Sequence, residues 1–283
     1  MFKILKKNRL NEESVEMWIE APHIAKKAKP GQFIIFRTHE EGERVPLTVA
    51  GTDEETGGVR IIFQTVGRST MELGEKEEGD SIADFVGPLG KDSDLEPLKD
   101  KKVAVVGGGL GAAIGFPIAK HLYAIGADVD LIVGFRNKDV IILEDEMREN
   151  STRLFVTTDD GSNGTKGFAT AILEKLIEEG NKYDHAIVIG PMIMMKVTCD
   201  LTKKHNIPTT VSMNTIMIDG TGMCGCCRLT VGGETKFACV DGPDFDGHQV
   251  DFEEAMARSG IYRDKEKEDK EEHVCNLTGE VRS

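Results

Sequence analysis

No run of apolar residues in this 283-residue chain approaches the roughly eighteen that a membrane-spanning helix needs. The opening stretch MFKILKKNRL also lacks the apolar core of a secretory signal peptide. We therefore expect a cytoplasmic protein with no membrane anchor. Basic residues are in deficit, with 35 Lys and Arg against 49 Asp and Glu and a formal net charge of -14. Because nucleic-acid phosphates are bound by clustered Lys and Arg, this balance argues against a nucleic-acid partner.

Cysteine is scarce outside one short stretch. The chain contains six cysteines, and four of them are Cys224, Cys226, Cys227 and Cys239. Cysteines this close in sequence cannot link distant parts of a fold, so the pattern excludes a disulfide scaffold. It favours metal-bound thiolates in a reducing compartment.

The first segment, residues 1–97, has short runs rich in β-branched and aromatic residues, such as SVEMWIEAP, GQFIIFRTH and GVRIIFQTVG. Gly, Pro and acidic turns separate these runs, a pattern that predicts an antiparallel β-barrel. Residues 44–48 place a guanidinium, a rigid Pro and a hydroxyl on one strand, which suits a diphosphate and a polar ring edge. Residues 67–70 open a short helix whose free amides suit an anion. A surface salt bridge and an ordinary turn are the structural alternatives.

The pattern changes after residue 98. KVAVV at residues 102–106 predicts a buried strand, a glycine turn follows at residues 107–111, and a helix is expected to begin near Ala112. Further predicted strands alternate with helices over residues 98–213. They lie at residues 129–134, 154–158, 185–189 and 209–213. Five βα repeats predict a doubly wound five-stranded parallel sheet that binds ligands at the carboxyl ends of its strands.

The glycine turn lies between a strand and a helix, where a pyrophosphate can approach the helix N-terminus. Its spacing, GGGLG, departs from the usual GxGxxG fingerprint. Two other predicted strands end in or are followed by polar residues or a Gly-Pro pair, at residues 157–162 and 190–191. A bound dinucleotide would lie at these strand ends. Arg136 suits a 2′-phosphate and Asp139 opposes one, so the choice between NAD and NADP stays open.

The third segment, residues 214–250, contains the stretch DGTGMCGCCRLTVGGETKFAC. Cys224, Cys227 and Cys239 supply three soft thiolates that suit an iron-sulfur cluster. The fourth ligand is either Asp219, which holds the first position of a Cx4Cx2C spacing, or Cys226. A zinc site is the alternative. Residues 251–283 are expected to form a charged tail that includes Cys275, whose role stays open.

Six motifs in this order resemble the ferredoxin-NADP reductase superfamily over roughly residues 1–250, in its dihydroorotate dehydrogenase electron-transfer subunit branch. They are KPGQF, RVPLT, VGRST, VGGGLGAA, TTDDGSNGTKG and the cysteine stretch with its GPDF end. Within this branch the chain is similar to the small subunits of NADH-dependent reduced ferredoxin:NADP oxidoreductases, which include sulfide dehydrogenase subunits. In the dihydroorotate-linked members four cysteines hold the cluster, and Asp219 in the first position favours the ferredoxin:NADP type.

The resemblance implies FAD, NAD(H) and a [2Fe-2S] cluster, each with its own contact residues. The implied FAD contacts are Arg44, Val45, Pro46, Leu47, Thr48, Ile62, Phe63, Gln64, Gly67, Ser69 and Thr70. The implied NAD contacts are Gly107, Gly108, Gly109, Leu110, Gly111, Asp159, Asp160, Gly190 and Pro191. The implied cluster ligands are Asp219, Cys224, Cys227 and Cys239.

The activity implied by the resemblance is hydride exchange between nicotinamide C4 and flavin N5, with no side chain required as acid or base. Single electrons then pass through the cluster to a larger flavin and [4Fe-4S] subunit, so a heterodimer is expected. One alternative is electron transfer to a dihydroorotate dehydrogenase or a sulfide/polysulfide reductase. Another is a zinc-containing binding module on the same fold that transfers nothing.

Overall fold

The computed structural model describes residues 1–262 and 264–268. Along the chain it contains an antiparallel sheet, a mainly parallel sheet and a two-stranded hairpin. Cys275 and the charged run beyond residue 268 lie outside the described residues. In the part of the chain that is described, none of the helices combines the length and apolar character needed to cross a bilayer.

The first unit is a seven-stranded antiparallel sheet in the order β6-β1-β2-β5-β4-β3-β7, with two short helices. Only Ala83 separates β6 from β7, so the two edges of the sheet are joined in the chain and the sheet nearly closes into the predicted barrel. Phe36, Phe63 and Phe85 are buried in its core. Its elements are β1 (Phe2–Arg9), β2 (Ser14–Glu20), α1 (Pro22–Ala25), β3 (Phe33–Arg37), β4 (Val45–Asp53), β5 (Gly58–Gln64), α2 (Arg68–Glu75), β6 (Ser81–Ile82) and β7 (Asp84–Leu89).

The second unit confirms the predicted doubly wound sheet, because five parallel strands alternate with helices. Short 3-10 turns lie at Glu96–Leu98 and Lys138–Val140. The main elements are β8 (Lys102–Gly108), α3 (Gly111–Ala124), β9 (Asp128–Phe135), α4 (Glu144–Glu149), β10 (Arg153–Thr158), α5 (Ala169–Glu178), β11 (His185–Ile189), α6 (Met192–Lys204) and β12 (Thr209–Ser212).

The parallel strands are arranged in the order β10-β9-β8-β11-β12. From β8 the chain adds β9 and then β10 on one side of the sheet. It then crosses back and adds β11 and β12 on the other side of β8. This reversal creates a crevice between the carboxyl ends of β8 and β11, the place where doubly wound sheets bind ligands. The glycine turn that follows β8 opens directly onto this crevice.

The remaining chain forms a hairpin of β13 (Arg228–Val231) and β14 (Glu234–Phe237), followed by β15 (Asp244–Asp246) and α7 (Phe252–Ser259). The strand β15 pairs antiparallel with β12 and becomes a sixth strand of the sheet. The sequence predicted five strands, because a three-residue strand is too short to give a hydrophobic period. Pairing with β12 fastens the end of the cysteine-containing stretch to the sheet.

Side chains of the barrel and of the parallel sheet pack together in two common hydrophobic clusters. Phe33 and Ile35 of β3 pack with Ala104 and Val106 on one face of the sheet, and this same cluster includes Cys227 and Cys239. On the other face, Ala50 and Ile62 of the barrel pack with the residues of β8, β9 and α3. All three units are therefore held by continuous apolar contact.

Candidate functional site

A cavity of about 620 Å³ lies between the barrel and the carboxyl end of the parallel sheet. We call it the shared cavity. Its barrel wall is built by Val45, Pro46, Leu47, Thr48, Ile62 and Gln64. Its sheet wall is built by Gly108, Gly109, Leu110, Gly111, Gly190 and Pro191. Residues predicted separately for FAD and for NAD thus face one space, with room for two ring systems to meet.

The cavity also has walls that the sequence did not indicate. These residues are Phe33, Ile114, Ile189, Ser212, Met213, Asn214, Thr215, Met217 and Pro243. Most of them follow the carboxyl end of β12 or come from the turn before β15. The rule that parallel strands bind ligands at their carboxyl ends would have identified Ser212 to Thr215, because they lie at or just after the end of the strand predicted at residues 209–213.

The glycine turn allows β8, α3 and the end of β11 to approach closely. A Cβ on Gly111 would lie 2.3 Å from the carbonyl oxygen of Ile189, a backbone atom that cannot move easily. Gly109 has a φ of +57°, and its N–H donates to the carbonyl of Gly134 at 2.8 Å. The turn therefore holds the helix start against the strand ends, which leaves backbone rather than side chains on the cavity wall.

Several predicted contacts do not line the shared cavity. They are Arg44, Phe63, Gly67, Ser69, Thr70, Gly107, Asp159 and Asp160. The Phe63 side chain is fully buried in the barrel core, so only its backbone is available to a ligand. Gly107 lies one residue before the cavity wall, and a Cβ there would meet the backbone of Ala112 at 2.7 Å.

Arg44 and the start of α2 form the outer part of the barrel side. Arg44 is exposed, and it has no ion pair with any residue in the described ranges. The first helical hydrogen bond of α2 runs from the Met71 N–H to Gly67, and the Val66 and Gly67 N–H groups donate to the Thr70 hydroxyl at 3.2 Å and 3.1 Å. The Ser69 hydroxyl donates to Glu43 at 2.5 Å. The exposed guanidinium and the amides of Ser69 and Thr70 suit a diphosphate, whereas the Glu43 carboxylate beside them would have to turn away from it.

Asp159 and Asp160 follow β10, which is the edge strand and lies two strands from β8. Their loop is folded on itself, with Asp160 Oδ1 accepting from the Ser162 N–H at 2.9 Å. Hydrogen bonds from the Ser162 side chain and backbone hold the pKa of Asp160 below its usual range. Both residues lie on the ligand-binding edge of the sheet but apart from the shared cavity.

The end of β9 carries the residue considered for a 2′-phosphate. Arg136 forms an ion pair with Glu13, which lies just before β2 in the barrel. Both side chains are exposed, with 65% of the Arg136 side chain and 40% of the Glu13 side chain accessible. The guanidinium already has a carboxylate partner in the position where a nucleotide phosphate would need it.

The four predicted cluster ligands form two pairs. Asp219 Oδ2 accepts from the backbone N–H of Cys224 at 2.7 Å. The sulfur atoms of Cys227 and Cys239 lie 3.2 Å apart, and both residues are buried. Burial and the hydrogen bond with Cys227 raise the pKa of the Cys239 thiol to about 12, an effect that binding to a metal reverses by displacing the proton. In the described residues, no three His, Cys, Asp or Glu side chains surround one metal-ion position.

A two-iron cluster takes its ligands as one pair on each iron. Two thiolates bound to one tetrahedral metal at about 2.3 Å lie roughly 3.7 Å apart, so the sulfurs of Cys227 and Cys239 need to separate only slightly. Asp219 and Cys224 are the candidates for the second pair, but the Asp219 carboxylate accepts here from the backbone N–H groups of Thr221 at 2.9 Å and Cys224 at 2.7 Å. The sulfur of Cys226 lies 4.0 Å from the Cys224 carbonyl. The buried cysteine pair therefore fits such a cluster, and Asp219 would have to turn a carboxylate oxygen away from its own loop to bind it.

The cysteine segment, residues 214–250, contacts the shared cavity directly. Thr215 lines the cavity, and its hydroxyl donates to the carbonyl of Cys227 at 3.5 Å. On the barrel side, Gly220 approaches Leu89 and Ile35 so closely that a Cβ would lie 2.7 Å and 2.9 Å from their methyl groups. The predicted ligands and the cavity are thus separated by few protein atoms.

A family model described as the iron-sulfur cluster binding domain of dihydroorotate dehydrogenase B matches residues 214–251. Over 265 residues, the chain is 48% identical to the dihydroorotate dehydrogenase B (NAD(+)) electron transfer subunit homolog of Thermotoga maritima, covering 94% of this chain and 93% of that protein. It is also 54% identical over 272 residues to an uncharacterized protein in the adh 3' region of Clostridium beijerinckii, covering 94% and 92% of the two chains.

One solved structure matches the whole arrangement. It is a chain of the NADH-dependent reduced ferredoxin-NADP oxidoreductase, studied for flavin-based electron bifurcation. The two chains are 46% identical with a TM-score of 0.91, and the match covers 97% of this chain and 98% of the other. The barrel, the sheet and the cysteine segment are therefore arranged alike in both proteins.

Proposed function

The chain belongs to the family of dihydroorotate dehydrogenase B electron-transfer subunits, and on that basis we propose that it is the FAD- and [2Fe-2S]-containing subunit of an NAD(H)-dependent flavin oxidoreductase. FAD, when bound, would supply the chemistry, because its ring can exchange a hydride with a nicotinamide and release electrons one at a time. The chain's own task is to bind and orient the cofactors and to exclude water between them.

The observation that carries this proposal is the shared cavity, because two independently predicted sets of residues line it from opposite sides. On the barrel side, Pro46, Leu47 and Thr48 would contact the flavin ring, and Arg44 with the α2 amides would face its diphosphate. On the sheet side, the glycine turn and Gly190 would bind the nicotinamide dinucleotide. Among the described residues, no acidic or basic side chain lines this cavity, which agrees with a reaction that needs no acid or base from the protein.

The cysteine segment would take up the electrons. Asp219 and Cys224 would bind one iron, and Cys227 and Cys239 the other. The Thr215 hydrogen bond to the Cys227 carbonyl links the cavity wall to one of the proposed ligands. We assign residues 1–97 to FAD, residues 98–213 to the nucleotide and residues 214–250 to the cluster.

The partner we propose is a larger subunit with its own flavin and [4Fe-4S] clusters, in a heterodimeric ferredoxin:NADP oxidoreductase. The whole-chain similarity to a chain of such an enzyme supports this choice. The second candidate is a dihydroorotate dehydrogenase partner, which the printed name of the Thermotoga maritima relative supports. Co-purification of the partner and its iron content separate the two, because only the first partner would contain [4Fe-4S] iron.

The test of the function is an anaerobic titration of the purified chain, loaded with FAD and iron-sulfide, with NADH and separately with NADPH. We expect NADH to bleach the flavin bands first and the broad iron-sulfur absorbance afterwards. A colourless protein that binds zinc and shows no NADH-dependent change would overturn the proposal in favour of a binding module.

A further inference from the structure

The strand β15 carries a carboxyl group that the proposed function does not use. Asp244 lies opposite Ser212 in the β12–β15 pairing, and the nearby Ser212 hydroxyl acts to lower the pKa of its carboxyl group. The Ser93 hydroxyl, from the loop after the barrel, donates to Asp244 Oδ2 at 2.5 Å. Ser212 is also part of the shared cavity wall, as is the neighbouring Pro243. The Asp244 carboxyl group therefore lies where the loop after the barrel, the cavity wall and the end of the cysteine segment meet.

This carboxyl group is poorly placed to carry a charge. Asp244 is half-buried as a residue, but its Oδ1 atom is shielded from solvent and has no hydrogen-bond partner in the described residues. Burial raises the pKa of Asp244, and the two serine hydroxyls oppose that effect without cancelling it. A buried carboxylate oxygen without a donor is costly, so the neutral acid is the stable form.

The charged groups on the surrounding elements have other partners or lie apart. On the Ser93 loop, Asp92 pairs with Lys29 at 2.8 Å, and Lys91 contributes its backbone N–H to Gly242. On β15 itself, the Asp246 carboxylate accepts from the His248 backbone N–H at 3.0 Å. No cation within the described ranges forms an ion pair with Asp244, so ionisation would leave its charge uncompensated.

Two further titratable side chains, Asp241 and His185, lie on neighbouring elements and also have other partners. Asp241, before the turn, accepts from the Phe237 backbone N–H at 2.8 Å. His185, which begins β11, forms its hydrogen bond with Thr210 at 2.9 Å rather than with Asp244. Ionisation of the Asp244 carboxyl group would therefore place an uncompensated charge at this three-way junction.

We propose that Asp244 is a positioning residue whose proton controls how firmly the cysteine segment is held to the wall of the shared cavity. In the neutral form the carboxyl group joins Ser93 and Ser212 and keeps β15 against β12. Ionisation creates an unpaired buried charge, which loosens this edge and widens the gap between the cavity wall and Cys227. The effect on electron transfer rests on the proposed function, whereas the effect on packing does not.

The first test uses the full chain without cofactors. Asp244→Asn imitates the neutral acid at every pH, and Asp246→Asn changes an exposed carboxylate on the same strand as the control. Because burial raises the folded-state pKa of Asp244, its proton stabilises the fold at low pH, and this stabilisation is lost as pH rises through that pKa. We expect the unfolding temperature to fall less for Asp244→Asn than for the wild type as pH rises through the folded-state pKa of Asp244. Parallel curves for all three proteins would overturn the inference.

The second test uses the protein loaded with FAD and cluster in rapid mixing with NADH. We expect flavin reduction to be similar in all variants, and the following cluster reduction to slow about tenfold with rising pH in the wild type and in Asp246→Asn but not in Asp244→Asn. Ser93→Ala, which keeps the acid but removes its barrel partner, should slow cluster reduction at every pH. A pH-independent cluster step in the wild type, or an unchanged pH profile in Asp244→Asn, would overturn the inference. Absence of any NADH-driven flavin reduction would instead count against the proposed function, and the unfolding curves would still decide the role of Asp244.

Discussion

The sulfur atoms of Cys227 and Cys239 lie 3.2 Å apart, although the two residues are twelve positions apart in the chain. The hairpin of β13 and β14 produces this approach, because Cys227 immediately precedes β13 and Cys239 follows β14 by two residues. The Ala238 N–H also donates to the Cys227 carbonyl at 3.2 Å, which extends the ladder to the cysteines. The hairpin thus brings two proposed ligands close enough to share a single metal ion.

The pairing predicts the consequences of changing each candidate ligand. Asp219→Cys should keep the cluster and lower its potential, because thiolate is a softer and stronger electron donor than carboxylate. Cys227→Ser should lose the cluster, and Cys226→Ser, the matched control, should keep it. Iron and sulfide content with a redox titration of the cluster provides the measurement. Cluster loss in Cys226→Ser while Asp219→Ala stays replete would reverse the assignment of the fourth ligand.

The ion pair between Arg136 and Glu13 predicts how nucleotide preference is set. Glu13→Gln should release the Arg136 guanidinium for a 2′-phosphate and raise the preference for NADPH over NADH. Since both side chains are exposed, the pair is worth about 0.2–1 kcal/mol, and the ratio of kcat/KM values should shift by about 1.4-fold to fivefold. Glu12→Gln, a neighbouring change outside this pair, serves as the control. An unchanged ratio in Glu13→Gln would show that Arg136 does not contact the nucleotide.

A second link between barrel and sheet predicts acid sensitivity. Arg60, which is mostly buried on β5, binds both carboxylate oxygens of Glu146 at 2.8 Å. The hydrogen bond from Arg60 lowers the pKa of Glu146, so this pair stabilises the fold above the ordinary pKa of 4.5, and the stabilisation is lost as pH falls through the lowered value. Because the Glu146 side chain is 44% exposed, solvent screening limits the expected cost of Glu146→Gln at pH 7 to about 0.5–1.5 kcal/mol.

Urea unfolding at neutral pH and at about pH 4 checks this expectation, since the difference between Glu146→Gln and the wild type should shrink in acid. Glu144→Gln is the control, because Glu144 lies on the same helix and, within the described ranges, its one ion pair is with Arg148, one turn away on the surface. Equal losses of stability in the two variants would contradict a special role for the Arg60 link.

The parallel sheet could be predicted closely because its strands are continuous apolar runs bounded by Gly and Pro. The strand predicted at residues 185–189 is the observed β11, and the helix expected near Ala112 begins at Gly111. The shared cavity was foreseeable for a related reason. Strand ends and turns are local features, and the topology of a doubly wound sheet gathers them at one edge.

Other parts of the site depend on contacts that local patterns do not contain. Ser93 and Asp244 are 151 residues apart, and Glu13 and Arg136 are 123 residues apart. Each pair consists of ordinary polar residues that come into contact only because the barrel packs against the sheet. The strand β15 was missed for the same reason, since three residues pair with β12 only because the preceding turn returns the chain to the sheet edge.

Two glycines of α3 provide a matched pair of substitutions that tests the sheet wall of the cavity. A Cβ on Gly111 would lie 2.3 Å from the Ile189 carbonyl oxygen and 2.9 Å from the Gly190 Cα, so Gly111→Ala must push the end of β11 away from the helix. We expect a loss of about 1–3 kcal/mol in unfolding free energy and weakened NADH binding. A Cβ on Gly115, one turn later, would meet only side-chain atoms at 3.4 Å and 3.5 Å, and Gly115→Ala should gain up to about 1 kcal/mol from helix propensity. Urea unfolding and NADH titration of both variants measure the differences in unfolding free energy and in NADH affinity. Normal NADH binding by Gly111→Ala would mean that the nucleotide does not contact this wall of the cavity.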